Sequence, residues 1–281
     1  MDAKSERLLS KPHILTRGIE RNPDGKYGNE IDQTYYIFNG APNQPLIILL
    51  HGGGWVTDQS SNFFFMGETL SKLGINFVLL KYRITDFENN VRYPTHLNDA
   101  LNGILHVLKL DLKYKGVWLA GHSAGGFMIS MIMLDLFTYY PHINEDDVQL
   151  LKKVQGLMLL ASVLDISLLV KYNDGYKDAF IELCFGKDKD RWDNYSPQFI
   201  KFNNRNNGLD CFDKEFLLVH SNTDTLLPND QGYNFLNKLM EQKFNKVHMV
   251  VDNFGDHNDM PRDINLITLL FNFLNNNKTK L

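Results

Sequence analysis

The chain reads as an α/β protein, a doubly wound and mostly parallel sheet with helices on both faces. Three observations predict this. Short continuous apolar runs such as Pro45–Leu50 and Val117–Ala120 have the look of strands buried on both sides, where neither face meets water. Segments with the apolar spacing of helices alternate with those runs along most of the chain. Several runs also end in short turns carrying Ser, Asp or His, and in open parallel sheets sites gather beyond the carboxyl ends of the strands.

Taken in order, residues 1–30 are polar and broken by Pro12, Pro23, Gly25 and Gly28, which predicts an irregular N-terminal arm, with residues 31–281 forming a single domain. Ile31 to Phe38 reads as an edge strand and Pro45–Leu50 as a buried one. Ser61 to Gly74 reads as a helix ended by its glycine, and Asn76 to Tyr82 as the next strand. Pro94 opens a helix that runs to about Leu110. Strand Val117–Ala120 leads into a helical pattern through Met133. Strands Val154–Ala161, Phe216–His220 and Lys246–Val251 follow, with helices over Asp230–Lys243 and from about Pro261 to Phe273. Residues 165–213 interrupt the rhythm, being rich in Asn, Asp, Lys and aromatics. They read as an insertion, for which a lid over the site and a solvated surface loop both fit. The Asn275–Asn277 run reads as a frayed terminus.

Composition narrows the partners. With 281 residues, 43% hydrophobic, 22% charged and a net charge of −4, the chain can bury a large core and carries no basic field for nucleic acid. Cys184 and Cys211 lack metal-ligand spacing and are expected to be reduced. The charged start, Met1 to Arg7, has no apolar core behind it. No stretch reaches the roughly 18 apolar residues of a membrane span, so a cytoplasmic protein without membrane partner is expected.

The stretch around which the rest is organised is Val117-Trp-Leu-Ala-Gly-His-Ser-Ala-Gly-Gly126. A strand that turns through Gly121-His-Ser123-Ala-Gly125 into a helix places the serine on a sharp elbow, with small residues two before and two after it. Ser123 is therefore the candidate nucleophile. A serine hydroxyl needs a base, an acid to orient that base, and donors for an oxyanion. Asp224 stands just beyond the strand Phe216–His220, where it can orient a base or merely serve a turn before Pro228. His257 lies in the glycine-bearing loop after the last strand. The order Ser123, Asp224, His257 is that of the α/β-hydrolase triad. His51-Gly-Gly-Gly-Trp55 follows the first buried strand, and the amides of Gly53, Gly54 and Ala124 are the candidate oxyanion donors. A phosphate cradle is not indicated, since neither a Lys-Ser/Thr pair nor a G-x-G-x-x-G spacing accompanies the glycines. His51 is expected to brace the glycine loop, and His122 and His220 to pack beside the elbow and strand end. His13, His96, His106, His142 and His248 read as ordinary surface or helix residues.

These motifs, His51-Gly52-Gly53-Gly54-Trp55, Gly121-His-Ser-Ala-Gly125, His220-Ser-Asn-Thr-Asp224 and Gly255-Asp-His257-Asn, resemble the kynurenine formamidases, α/β-hydrolases with an H-G-G-x-W signature. The resemblance runs from about Leu46 to the final helix. It implies an α/β-hydrolase fold in which Ser123, Asp224 and His257 form the triad, with N-formyl-L-kynurenine cleaved to kynurenine and formate in tryptophan breakdown. It also implies a cytosolic enzyme that needs no metal or cofactor and can pair as a homodimer. Gly54 equally completes the His-Gly-Gly-Gly of the hormone-sensitive-lipase-like esterases, whose substrates are short acyl esters. Those enzymes usually carry an acid where this chain has His122. A hydrolase fold kept only as a binding module would be expected to have lost a triad member or blocked its glycine loop. Trp55, beside the candidate oxyanion amides, is expected to crowd the acyl side in favour of a formyl group. Trp55, Tyr82, Phe127, Trp192 and Phe254 are the aromatic candidates for gripping the rest of the substrate; Tyr82-Arg83 fits a pocket wall and a loop support equally.

Overall fold

The computed structural model describes residues 21–201, 209 and 211–278. Eight strands, β1 (Gly25–Lys26), β2 (Thr34–Phe38), β3 (Gln44–Leu50), β4 (Asn76–Leu80), β5 (Tyr114–His122), β6 (Val154–Leu160), β7 (Glu215–Ser221) and β8 (Val247–Asp252), form one sheet in the order β1-β2-β4-β3-β5-β6-β7-β8. From β4 onward every pair is parallel, while β1 and β2 add an antiparallel margin. Among the described residues the helices are α1 (Phe64–Lys72), α2 (Thr95–Lys109), α3 (Ala124–Tyr139), α4 (Glu145–Lys152), α5 (Ile166–Tyr172), α6 (Glu182–Phe185), α7 (Asp190–Tyr195), α8 (Asp230–Glu241) and α9 (Ile264–Lys278).

The alternation of side chains along a strand explains why β3 is apolar throughout. Leu46, Ile48 and Leu50 join the core beneath α2, α3 and α8, whereas Ile47 and Leu49 join the core beneath α1 and α9. All five are fully buried, and burying each such side chain is worth about 1.5–3 kcal/mol, so β3 is a rigid base for the glycine loop that follows it. Register then sets the site. Leu50 pairs with Gly121, Gly121 with Leu159, Leu160 with Val219 and Ser221 with Asp252, so five strands finish side by side at one edge. The residues immediately after those ends include His51, Ser123 and the loops bearing Asp224 and His257.

Several local expectations change. The expected arm lies outside the described residues as far as residue 20. The part from Arg21 joins the sheet: Gly25 pairs with Tyr35, the Tyr27 hydroxyl donates to the Lys81 carbonyl at 2.6 Å, and the Arg21 guanidinium stands 4.4 Å from the Phe38 ring centroid. A two-residue strand is too short to show a period, which is why composition alone read it as irregular. Helix α4 was not anticipated. Its start is nonetheless written in Asn144-Glu-Asp-Asp147, where the Asn144 side chain accepts from the Asp147 amide at 2.8 Å and three acidic residues occupy the first turn. The Asn275–Asn277 run belongs to α9 rather than a frayed end. The buried Leu270, Phe271 and Leu274 keep that helix on the sheet up to its last turn. Residues 165–213 contain no strand among the described residues, but α5, a π-helical turn over Lys177–Ile181, α6 and α7.

Candidate active site

Ser123 occupies a backbone conformation that side-chain-bearing residues rarely adopt, with φ 53° and ψ −118°. Its surroundings impose it. The Ser123 amide donates to the Leu160 carbonyl at 3.0 Å, and its carbonyl accepts from Gly126 and Val163 at 3.1 and 3.2 Å. A Cβ on Gly121 would lie 2.4 Å from the Gly126 nitrogen, and one on Gly125 would lie 2.1 Å from the Leu50 oxygen. Strand, elbow and helix thus touch backbone to backbone at the two positions where the sequence has glycine.

The glycine loop is held open from behind. Gly53 and Gly54 have φ of 106° and 56°, and the Gly53 carbonyl accepts from Val56 and Thr57, both at 3.0 Å. The Tyr82 hydroxyl lies 3.0 and 3.2 Å from the carbonyls of His51 and Gly52. His51 stacks on that ring, centroids 4.4 Å apart, and its Nδ1–H donates to the Gly52 carbonyl at 2.7 Å. Burial lowers the pKa of His51, so a neutral ring braces the loop, as expected from sequence. Among the described residues the Gly53 and Gly54 amides donate to no protein acceptor, and Ala124, first residue of α3, has no carbonyl four residues earlier within its helix. Of the pair Tyr82-Arg83, both support structure: Tyr82 braces this loop, and Arg83 bonds the buried Asp99 at 2.7 and 2.8 Å.

Asp224 serves a turn and the histidine at once, one oxygen for each. Oδ1 accepts from the amides of Leu226 and Leu227, both at 2.8 Å, which is the turn-forming role expected of an aspartate before Pro228. Oδ2 accepts from His257 Nδ1–H at 2.7 Å and lies 3.4 Å from His220 Nε2. Burial works to raise the Asp224 pKa, but the hydrogen bonds from His220 and His257 and the amide of Leu227 outweigh it and hold the carboxyl far below its usual range. The loops carrying acid and histidine are stitched together. Ser221 and Thr223 donate to the Gly255 carbonyl at 2.5 and 2.9 Å, and Asp256 accepts from Thr225 and from the His257 amide. Ser123 and His257 line the same cavity, and no direct hydrogen bond joins the hydroxyl to the ring; such contacts are often loose before substrate closes a site.

That cavity, of about 220 Å³, opens over Ser123 between the glycine loop, the His257 loop and the insertion. Its aromatic wall differs from the one expected. None of Trp55, Tyr82, Phe127, Trp192 and Phe254 lines it; Tyr176 and Phe180 do. Trp55 itself has φ 63°, which turns its indole away from the amides into a fully buried nest of Phe127 and Phe185, with ring centroids 5.2 and 4.9 Å away. Tyr176 and Phe180 sit four residues apart across the π-helical turn, rings 5.3 Å apart, and the Tyr176 hydroxyl donates to the Leu226 carbonyl at 3.2 Å. A Tyr and a Phe at that spacing inside the insertion was the available signal.

Comparison with known proteins places this geometry in a family. Residues 34–239 match the BD-FAE family, a span that takes in the glycine loop, the elbow and Asp224. The chain belongs to that family. This BD-FAE chain is 24% identical over 262 residues to a kynurenine formamidase of Scheffersomyces stipitis, covering 84% of this chain and 93% of that one. A kynurenine formamidase of Danio rerio is also 24% identical, over 54% of this chain but only 48% of its own length. Among solved structures, esterase B of Lactobacillus rhamnosis superimposes with a TM-score of 0.68 at 18% identity, covering 92% of this chain and 88% of that one. A truncated carbohydrate esterase from gut microbiota gives 0.69 at 16% identity, over 92% and 95%. The fold is the α/β-hydrolase fold. Among the described residues no cluster of three or more His, Cys, Asp or Glu is placed to hold a metal ion, and no helix is long and apolar enough to cross a membrane. Cys184 and Cys211 are buried and form no disulfide. His122 and His220 pack beside the elbow and strand end as expected, while His13 lies outside the described residues.

Proposed function

We propose that the chain is a serine hydrolase that cleaves N-formyl-L-kynurenine to L-kynurenine and formate, with Ser123 as nucleophile, His257 as base and Asp224 as orienting acid. The observation that carries the reading is the 2.7 Å hydrogen bond from His257 Nδ1 to Asp224 Oδ2, made beside a strained Ser123 in one cavity with two unengaged glycine amides. The likeness to kynurenine formamidases over most of one relative's length supports the substrate.

In this mechanism the Ser123 hydroxyl attacks the formyl carbon as its proton passes to His257 Nε2. The Asp224 carboxylate keeps the imidazole in the required tautomer and stabilises its charged form. Negative charge on the formyl oxygen is met by the amides of Gly53, Gly54 and Ala124; losing one such donor typically raises a barrier by about 2.7–4 kcal/mol. His257 then gives its proton to the departing aryl nitrogen as the C–N bond breaks. Water, deprotonated by the same ring, attacks the formyl ester and releases formate.

Gly54 in the His51-Gly-Gly-Gly run favours a second reading, a short-chain carboxylesterase. Purified protein assayed on N-formyl-L-kynurenine and on p-nitrophenyl acetate and butyrate separates the two. The formamidase reading expects the highest kcat/KM on the formamide, with formate released in equal amount to kynurenine. Preference for butyrate without formate release would put the esterase in its place, and no turnover of any substrate would leave a non-catalytic module.

A further inference from the structure

The cavity that holds Ser123 and His257 is lined by no Lys, Arg, Asp or Glu among the described residues. N-formylkynurenine nevertheless ends in an ammonium and a carboxylate, and both must be met or left in water. Two polar side chains of the lining stand together at its solvent-facing edge. Gln59 follows the glycine loop, Asn258 follows His257, and Gln59 Nε2 donates to Asn258 Oδ1 across 3.2 Å. Asn258 is exposed and Gln59 half-buried, so the pair sits at the mouth.

Resting on the formamidase reading, we infer that the Gln59–Asn258 pair is the recognition element for the α-amino acid end of the substrate. Each carboxamide carries one acceptor oxygen and one donor NH₂ group. Once the two are joined by a single hydrogen bond, the outer ends are the Gln59 oxygen and the Asn258 NH₂, one acceptor and one donor. The arithmetic survives exchanging oxygen and nitrogen in both groups: the joining bond then runs the other way, and the outer ends are still one donor and one acceptor. One acceptor for an ammonium beside one donor for a carboxylate is the complement of a zwitterionic amino acid. Neutral dipoles suit this position. A lone Lys or Arg would hold the carboxylate but repel the ammonium, and a lone Asp or Glu would do the reverse. Two amides favour neither half and bring no unpaired charge to the rim. The pair also bridges the two loops that carry the proposed oxyanion donors and base, so its engagement fixes the ring end of the substrate relative to both.

The test compares two substrates of the same scissile bond: N-formyl-L-kynurenine, and 2′-formamidoacetophenone, which keeps the ring and ketone but lacks the ammonium and carboxylate. The quantity read is the ratio of their kcat/KM values, in wild type and in Gln59→Ala, Asn258→Ala and the double variant, each checked for an unchanged melting temperature. Wild type is expected to favour the amino acid. Each single variant should lower the ratio about tenfold, as for a lost hydrogen bond to a charged group, mainly through KM for N-formylkynurenine. The double variant should fall short of the product of the two, since either single change already breaks the pair. A ratio within twofold of wild type in all three variants would overturn the assignment while leaving the formamidase reading in place. Turnover of neither formamide by wild type would remove that reading, and this inference with it.

Discussion

His122 donates its Nε2–H to the backbone carbonyl of His257 across 3.1 Å, so the residue next to the candidate nucleophile Ser123 holds the chain segment that carries the candidate base. A carbonyl only accepts, which fixes the proton on Nε2. Burial, with the neighbouring His257 ring 4.5 Å away acting in the same direction, keeps the His122 pKa well below its ordinary value. Replacing the ring by a side chain without a donor frees the His257 backbone. His122→Leu should lower kcat about tenfold to a hundredfold with a smaller change in KM, as small displacements of catalytic groups do. His122→Gln keeps an N–H and should recover part of the loss; equal defects in the two variants would assign the effect to packing alone.

The proposed acid, Asp224, is the carboxylate that the His257 ring meets. Asp224→Asn should reduce kcat by about 10⁴, as the same change does in serine proteases, because an amide facing Nδ1 stabilises the wrong tautomer. Asp256 holds Thr225 and the His257 amide but not the ring, so Asp256→Asn should cost far less. Steady-state kinetics on the two variants decides between them, and a greater loss at Asp256 would move the role.

Ser123 separates activity from stability. Ser123→Ala should abolish turnover and labelling by a fluorophosphonate. Ser123→Gly should be as inactive yet melt at or above the temperature of Ser123→Ala, because glycine tolerates φ 53° where any Cβ is strained by about 1–3 kcal/mol. Scanning calorimetry of the two variants reads this directly, and a lower melting point for the glycine variant would show that the elbow is unstrained.

The parallel strands and the order of the candidate triad were legible because both depend on local pattern: an apolar run buried on two faces, followed by a turn with a reactive side chain. The wall of the cavity was not. Trp55 follows the glycines so closely that it was expected to face the reacting atoms, but two successive residues with positive φ, Gly54 and Trp55, swing the indole inward, and no residue type announces such a φ at a tryptophan. Tyr176 reaches Leu226 across 50 positions, and Phe180 reaches Trp55 across more than a hundred. Contacts of that range are set by how the insertion folds back over the sheet edge, not by spacing. The helix Glu145–Lys152 is a different case: its cap is written in the sequence, but at eight residues the helix is too short to show a clear apolar period.

A buried histidine outside the site gives the fold a pH dependence. The Thr85 hydroxyl donates to the Val91 carbonyl at 2.7 Å, so its oxygen accepts from His96 Nε2–H at 2.8 Å; His96 Nδ1 is buried without a partner. Burial pulls the His96 pKa down to about 4, although Asp99 acts to raise it. The unfolded chain, titrating near 6.5, takes up the proton first as pH falls, so the fold is weakened across the window from about 6.5 to about 4 and unaffected by this group above it. Between pH 7 and pH 5 that amounts to about 2 kcal/mol. His51 and His122, also shifted down by burial, act in the same sense. Urea unfolding at the two pH values should show His96→Gln losing about 2 kcal/mol less than wild type, and equal losses would mean that His96 is protonated within the fold.

Phe180, not Trp55, lines the cavity beside Gly54, and is therefore expected to govern the acyl side. A Cβ on Gly54 would meet the Phe180 ring at 3.4 Å, so the ring lies against the glycine whose amide is proposed to hold the oxyanion, and Phe180 lines the cavity where Trp55 does not. A formyl carbon bears only hydrogen and fits beneath the ring; each further methylene must displace it, and hydrophobic pockets discriminate by about 1–3 kcal/mol per methylene. Phe180→Ala should therefore raise kcat/KM on p-nitrophenyl acetate and butyrate about tenfold relative to p-nitrophenyl formate. Trp55→Ala should do something different. Its indole is fully buried against Phe127 and Phe185, so truncation leaves a hole and should cost about 3–5 kcal/mol of stability, with the acyl preference little changed. Chain-length profiles and melting curves of both variants give four readings. If Trp55→Ala shifts the acyl preference and Phe180→Ala does not, the indole governs the acyl side after all and the insertion has no part in choosing the acyl group.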